Sequence, residues 1–153
     1  MNGNLSPRAI ATTRGVCRHL ADRGMAPVTE VTLATGRRVD VLALGGDGSL
    51  LVVEVKSCAA DFHSDGKWEE YLAFCDAFTF AVPPDFPTEI LPADQGLIVA
   101  DDYEAAILRP PAARPRLHAS RRKAVTHLFA TTAARRLRGL QDPAVADRLE
   151  RSA

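Results

Sequence analysis

Residues 38 to 56, Arg38-Val39-Asp40-Val41-Leu42-Ala43-Leu44-Gly45-Gly46-Asp47-Gly48-Ser49-Leu50-Leu51-Val52-Val53-Glu54-Val55-Lys56, read as two apolar strands around a glycine-rich turn. Each strand carries charge in an otherwise aliphatic run: Asp40 in the first, Glu54 and Lys56 in the second. Alternation puts Glu54 and Lys56 on one face. With Gly45 to Ser49 as a five-residue loop, Leu44 pairs with Leu50, and Asp40 falls opposite Glu54 with Cβ atoms roughly 5 Å apart. Two facing carboxylates repel, and Val39, Val41, Val53 and Val55 imply a buried sheet where unpaired charge is expensive. A cation belongs between them. Hard oxygen ligands suit Mg²⁺ or Mn²⁺, which keeps several waters and commonly uses one or two carboxylates plus substrate phosphate.

Outward from this pair, Val28 to Leu33 reads as the first strand of a three-strand meander. With Thr35-Gly36-Arg37 as a three-residue loop, Ala34 pairs with Arg38, so Glu30 lies opposite Leu42 and diagonal to Asp40. Three acids and one lysine then converge. Upstream, Ser6-Pro7 looks like an N-cap and first helical position and Gly24 like a terminator, predicting a helix over 7–23 that buries Ile10, Thr13, Cys17 and Leu20. Downstream, Trp68, Leu72 and Cys75 predict a second amphipathic helix over 66–77. Thr79 to Val82, Gly96 to Ala100 and Ala105 to Leu108 read as short strands, the first two separated by a proline-rich loop. A last helix is predicted over 119–139, with Val125, Leu128, Phe129 and Thr132 buried and Arg121, Arg122, Arg135 and Arg138 toward solvent.

A chain of 153 residues fits one domain spanning 1–153. Its zero net charge conceals a split: residues 1–108 hold 8 Lys and Arg against 16 Asp and Glu, whereas residues 109–153 hold 11 against 3. The basic end suits a polyanion and the acidic part a metal site. Three scattered cysteines without a C-x-x-C pair support neither a disulfide framework nor a zinc knuckle. No apolar run reaches the length of a membrane span and the start lacks a signal-peptide core, so a cytoplasmic protein without membrane association is expected. No P-loop, G-x-S-x-G or G-x-G-x-x-G occurs, which argues against a nucleotide cofactor.

An acid on one strand followed by E-x-K on the next resembles the PD-(D/E)XK nuclease superfamily, as does the order helix, meander, helix, strand. More specific are Gly36-Arg37-Arg38-Val39-Asp40, Val53-Glu54-Val55-Lys56-Ser57, Asp61-Phe62, Asp65-Gly66-Lys67-Trp68-Glu69-Glu70-Tyr71, Cys75-Asp76, Gly96-Leu97-Ile98-Val99-Ala100-Asp101 and Arg121-Arg122-Lys123-Ala124. Over roughly Pro7 to Leu137 these strings look like the MmcB family of bacterial DNA repair endonucleases. The resemblance implies an α/β restriction-endonuclease-like core, a mixed central sheet flanked by helices, and Mg²⁺- or Mn²⁺-dependent hydrolysis of DNA. It implies Asp40, Glu54 and the Val55 carbonyl as metal ligands, with Lys56 positioning or deprotonating the attacking water. Glu30 stands in for the additional acid that the first helix supplies in many superfamily members. Lys67 and Tyr71 are the implied accessory groups near phosphate, and Arg37, Arg38, Arg121, Arg122 and Lys123 the implied DNA contacts.

Two alternatives remain. Cys58 and His63 are close in sequence, the weak signature of a thiol nucleophile and base. A non-catalytic DNA-binding repair scaffold that keeps the nuclease fold is the stronger rival. Two facing acids have no use in a scaffold, which favours the enzyme.

Overall fold

The computed structural model describes residues 5–151. Its elements in chain order are α1 (Pro7–Asp22), β1 (Ala26–Thr32), β2 (Arg38–Leu44), β3 (Leu50–Val55), α2 (Ala59–Ser64), a 3₁₀ helix (Trp68–Phe74), β4 (Ala77–Val82), β5 (Gly96–Ala100), β6 (Ala105–Arg109), α3 (Ala119–Gln141) and α4 (Ala146–Arg151), with 3₁₀ turns at Thr88–Ile90 and Pro143–Val145. The six strands form one mixed sheet in sequence order. β3 runs parallel to β4 and β4 to β5, while the other neighbours are antiparallel. Helices cover both faces: Val16 and Leu20 of α1 pack against Val41, Val53, Ala81 and Ile98, and Val125 and Phe129 of α3 pack with Leu42, Val52, Phe78 and Phe80.

Helix α1 starts where the sequence says it should. Ser6 Oγ accepts a hydrogen bond from the Ala9 amide at 3.1 Å, Pro7 occupies the first turn, and Gly24 takes φ +77° just past the end. Its buried face, however, is Ala9, Thr12, Gly15, Val16 and Leu20 rather than the stripe through Ile10, Thr13 and Cys17. Gly15 supplies the reason: a Cβ there would stand 2.0 Å from the Asp101 carbonyl oxygen. The helix therefore lies directly on the β5–β6 turn, and this close approach rolls Ile10 outward to 46% exposure.

The helix predicted over 66–77 is a shorter 3₁₀ helix, Trp68–Phe74, and α2 precedes the predicted range. The chain leaves helical geometry at Asp65, at φ −104° and ψ 86°, and the Asp65 carboxylate turns to Lys56. A three-residue repeat then places Tyr71 and Phe74 in the core together, instead of the i+4 stripe expected from Trp68 through Leu72. Trp68 stacks on Phe78 at 5.3 Å and meets Phe80 edge-on, so this face of β4 is an aromatic cluster. α3 continues through Gly139 to Gln141.

Pairing of β2 with β3 has the expected register, Leu44 with Leu50 through Val41 with Val53, and continuing it by one residue brings Asp40 to Glu54. Pairing of β1 with β2 differs by two residues. Thr32 pairs with Arg38, so the connection runs over 33–37 and closes with Leu33 N–H donating to the Arg37 carbonyl at 2.7 Å. Glu30 consequently lies opposite Asp40, not Leu42. At this point both strands change face: Val28 and Val31 contribute to the same cluster, as do Val39 and Leu42, although each pair is three residues apart. Glu30 adopts φ +51°, the one non-glycine residue with positive φ among the described residues. Arg136 of α3 donates to the Thr29 carbonyl and, at 2.7 Å, to the Glu30 carbonyl, supplying from another element the partners that a regular ladder would give.

Candidate active site

The irregularity at Glu30 and Asp40 releases Asp40 from the usual alternation of strand side chains. Its Oδ2 accepts a hydrogen bond from the Val55 amide at 2.7 Å, carrying the carboxylate across to β3. Beside it lie Glu54 on β3 and Lys56 just past its end, only 5% and 4% exposed. Lys56 Nζ lies 3.2 Å from Glu54 Oε1 and 2.6 Å from Asp65 Oδ2. One acid from β2, an acid from β3, the lysine that follows β3 and the Asp65 carboxylate from the end of α2 thus meet at the same end of the sheet.

Protonation follows from this crowding. Burial pushes the Glu54 carboxyl up to about 8, and the charge of Asp40 pushes in the same direction against the pull of Lys56. Burial also raises Asp40, outweighing the Val55 amide and Lys56. For Lys56, burial acts downward, but its bonds to Asp65 and Glu54 win and the ammonium is held above its ordinary value. Burial opposes Asp65 too, yet Lys56 keeps its carboxyl low. One lysine shared by these acids leaves the site short of positive charge.

Glu54 Oε2 is buried with no N–H donor reaching it, and its carboxyl lies beside that of Asp40. A carboxylate oxygen in that state fits a hard cation, and burial-raised carboxyls are what an ion would discharge. Among the described residues no three Asp, Glu, His or Cys side chains form a metal-holding cluster. Any ion here would rest on Asp40 and Glu54, with backbone, water and phosphate oxygens completing its shell, a combination suited to Mg²⁺. The convergence of three acids is therefore corrected. Glu30 directs Oε1 to Arg38 at 3.5 Å and remains at the rim, its strand turned by the positive φ.

Several expected phosphate contacts have other partners. Tyr71 is 4% exposed and its hydroxyl donates to the Arg38 carbonyl at 3.2 Å, so it braces β2 and is not presented with Lys67, which is exposed. Arg37 pairs with Glu70 at 2.7 Å and Arg38 with Glu30. Arg122, expected toward solvent, instead grips Asp76 through two bonds of 2.6 Å and donates to the Gly48 carbonyl at 2.8 Å. Asp76 also accepts from the amides of Leu50 and Leu117, both at 2.9 Å, so this pair pins α3 and the preceding segment to the β2–β3 hairpin. Arg121 lies over the Phe74 ring at 4.5 Å, and Lys123 is exposed. Arg121, Arg135 and Arg136 line a groove of about 1120 Å³ between α3, α4 and the β1–β2 connection, which also touches Glu30.

Asp65 and Arg136 were not singled out from sequence as site residues. Asp65 stands in the string Asp65-Gly66-Lys67-Trp68, so a signal was present, whereas nothing local announces that Arg136 reaches β1. Cys75 is buried with its thiol pushed up to about 12 by burial, and Cys58 and His63 sit exposed on and beside the short α2. Neither cysteine has the setting of an activated nucleophile.

Fold and site define a mixed α/β protein with a buried acid, acid and lysine centre at one end of its sheet. The family model described as DNA repair protein MmcB-like matches residues 1–144, and the chain belongs to that family. A solved structure of a protein of unknown function from Silicibacter pomeroyi is similar at 47% identity and a TM-score of 0.87, covering 92% of this chain and 95% of that one. No curated protein matches the chain. No helix among the described residues is long and apolar enough to cross a membrane.

Proposed function

We propose that this member of a DNA repair family is a divalent-metal-dependent DNA endonuclease with a PD-(D/E)XK core, and that Asp40, Glu54 and Lys56 carry its chemistry. The observation that carries the reading is the buried Oε2 of Glu54, reached by no N–H donor, beside Asp40 and the protonated Lys56. Mg²⁺ or Mn²⁺ held there supplies Lewis acidity toward a phosphate oxygen and toward the attacking water. The Val55 amide holds the Asp40 carboxylate in place, and Asp40, Glu54 and the Val55 carbonyl would hold the ion. Glu54 would offer Oε2 to the ion while Oε1 stays on Lys56. Lys56, held charged by Glu54 and Asp65, stabilises the negative charge that gathers on the phosphorus and acts as an electrostatic group, not as the base.

The test is hydrolysis of single-stranded, duplex, flap and junction DNA with Mg²⁺ or Mn²⁺. Metal-dependent cleavage of at least one form, absent from Glu54→Gln, supports the reading. Failure on every form with either metal would transfer it to a non-catalytic DNA-binding scaffold. One observation favours that rival: Lys56 is satisfied on two sides by carboxylates, as a structural ion network also would be.

A further inference from the structure

The outward roll of α1 leaves Ile10 46% and Leu5 37% exposed, two apolar side chains that the core does not use. They line a cavity of about 200 Å³ together with Ala9, Thr13, Val55 and two carboxylates, Glu30 and Asp40. The cavity therefore opens onto the carboxylate that the Val55 amide holds. Its lining includes no Lys or Arg among the described residues, so a phosphate has no counter-charge inside. Thr13 gives its hydroxyl proton to the Ala9 carbonyl at 2.7 Å and adds little polarity to the wall. The volume falls below the roughly 300 Å³ at which pockets for drug-sized ligands begin, which admits one ring system and excludes a base pair.

We propose that this cavity receives the base of one unpaired nucleotide of the DNA, with sugar and phosphate outside at Asp40 and Glu54. The proposal rests on the nuclease reading and names its substrate class: DNA with an unpaired or extruded nucleotide next to the bond that is cut. A nucleotide already unpaired enters without the cost of breaking a pair, which makes the cavity a selector against intact duplex.

Anisotropy titrations with Ca²⁺ in place of Mg²⁺ test it, using a labelled duplex with one bulged nucleotide, its fully paired counterpart, and the bulged duplex with an abasic residue at the bulge. The wild type is expected to bind the bulged duplex about tenfold or more tighter than either control, as burial of one base-sized apolar surface allows. Thr13→Phe, which fills the cavity, and Ile10→Ala, an exposed change that spares the fold, should each bring that ratio to within about twofold of one. A wild-type ratio of one, or a ratio that survives both variants, overturns the proposal. The same DNAs in Mg²⁺ and Mn²⁺ separate the two claims. Cleavage without discrimination removes the cavity assignment alone, and discrimination without cleavage removes the nuclease reading alone.

Discussion

Asp40 Oδ2 accepts a hydrogen bond from the Val55 amide at 2.7 Å, so one carboxylate both closes the end of the β2–β3 ladder and faces the Glu54 site. These two roles separate by mutation. Asp40→Asn keeps an oxygen for the amide and should fold normally while losing metal affinity. Asp40→Ala leaves the buried Val55 N–H unpaired and should cost about 1–3 kcal/mol in urea unfolding as well.

Glu54 gives the metal-free protein a definite pH dependence. Its carboxyl titrates near 4.5 when unconstrained and about 8 in the fold. Between those values the unfolded chain has released the proton and the folded chain retains it, so stability falls as pH rises through the interval and levels above it. Glu54→Gln removes this loss and should melt higher than wild type at pH 8 to 9 but not at pH 5, read by thermal scans in EDTA. In the wild type, Mn²⁺ affinity should rise with pH up to about 8, with proton release in calorimetry.

The Asp76 pair works in the opposite direction. Arg122 holds the Asp76 carboxyl well below its ordinary value of 3.8, with the Leu117 and Leu50 amides adding to the effect. Its contribution to stability is complete above that value and is lost as pH falls through the lower folded-state value. Asp76→Ala should lower stability at pH 7 by roughly 2 kcal/mol, through loss of hydrogen bonds to a charged group, and flatten the acid limb of a pH–stability curve.

Basic residues on α3 divide by partner. Arg122 is committed to Asp76, whereas Arg121, Lys123 and Arg135 face the groove or solvent. Replacing the latter three by Ala should weaken binding to all DNA sequences alike and lower the slope of log K against log salt by about 0.9 per lost phosphate contact. Arg122→Ala should act mainly on stability, visible as a lower Tm.

The part of the site governed by local rules was legible. Five turn residues between two apolar strands set the register of β2 and β3, and with it the approach of Asp40 to Glu54. Misreading began where local signals are ambiguous. Thr35-Gly36-Arg37 reads as a complete turn, but the structure closes the loop from Leu33 to Arg37 and moves Glu30 opposite Asp40. The positive φ of Glu30 is held by Arg136, more than a hundred positions away in the chain, a dependence that periodicity does not encode. The exposed face of α1 follows from the contact of Gly15 with Asp101, and the 3₁₀ winding of Trp68–Phe74 from the packing of Tyr71 and Phe74 into the core. In each case a tertiary contact overrode a sound helical pattern.

If Asp40, Glu54 and Lys56 form one hydrolytic centre, single-turnover cleavage in Mn²⁺ by wild type and Lys56→Met, with Mn²⁺ binding measured on the same samples, separates the lysine's role from metal binding. Wild type should cleave in a metal-dependent way and Lys56→Met should lose about 10²-fold or more, a size usual for removing one transition-state contact, with Mn²⁺ still bound. Cleavage at the wild-type rate by Lys56→Met, or none by wild type under conditions where Mn²⁺ is bound, would contradict a single hydrolytic centre of these three residues.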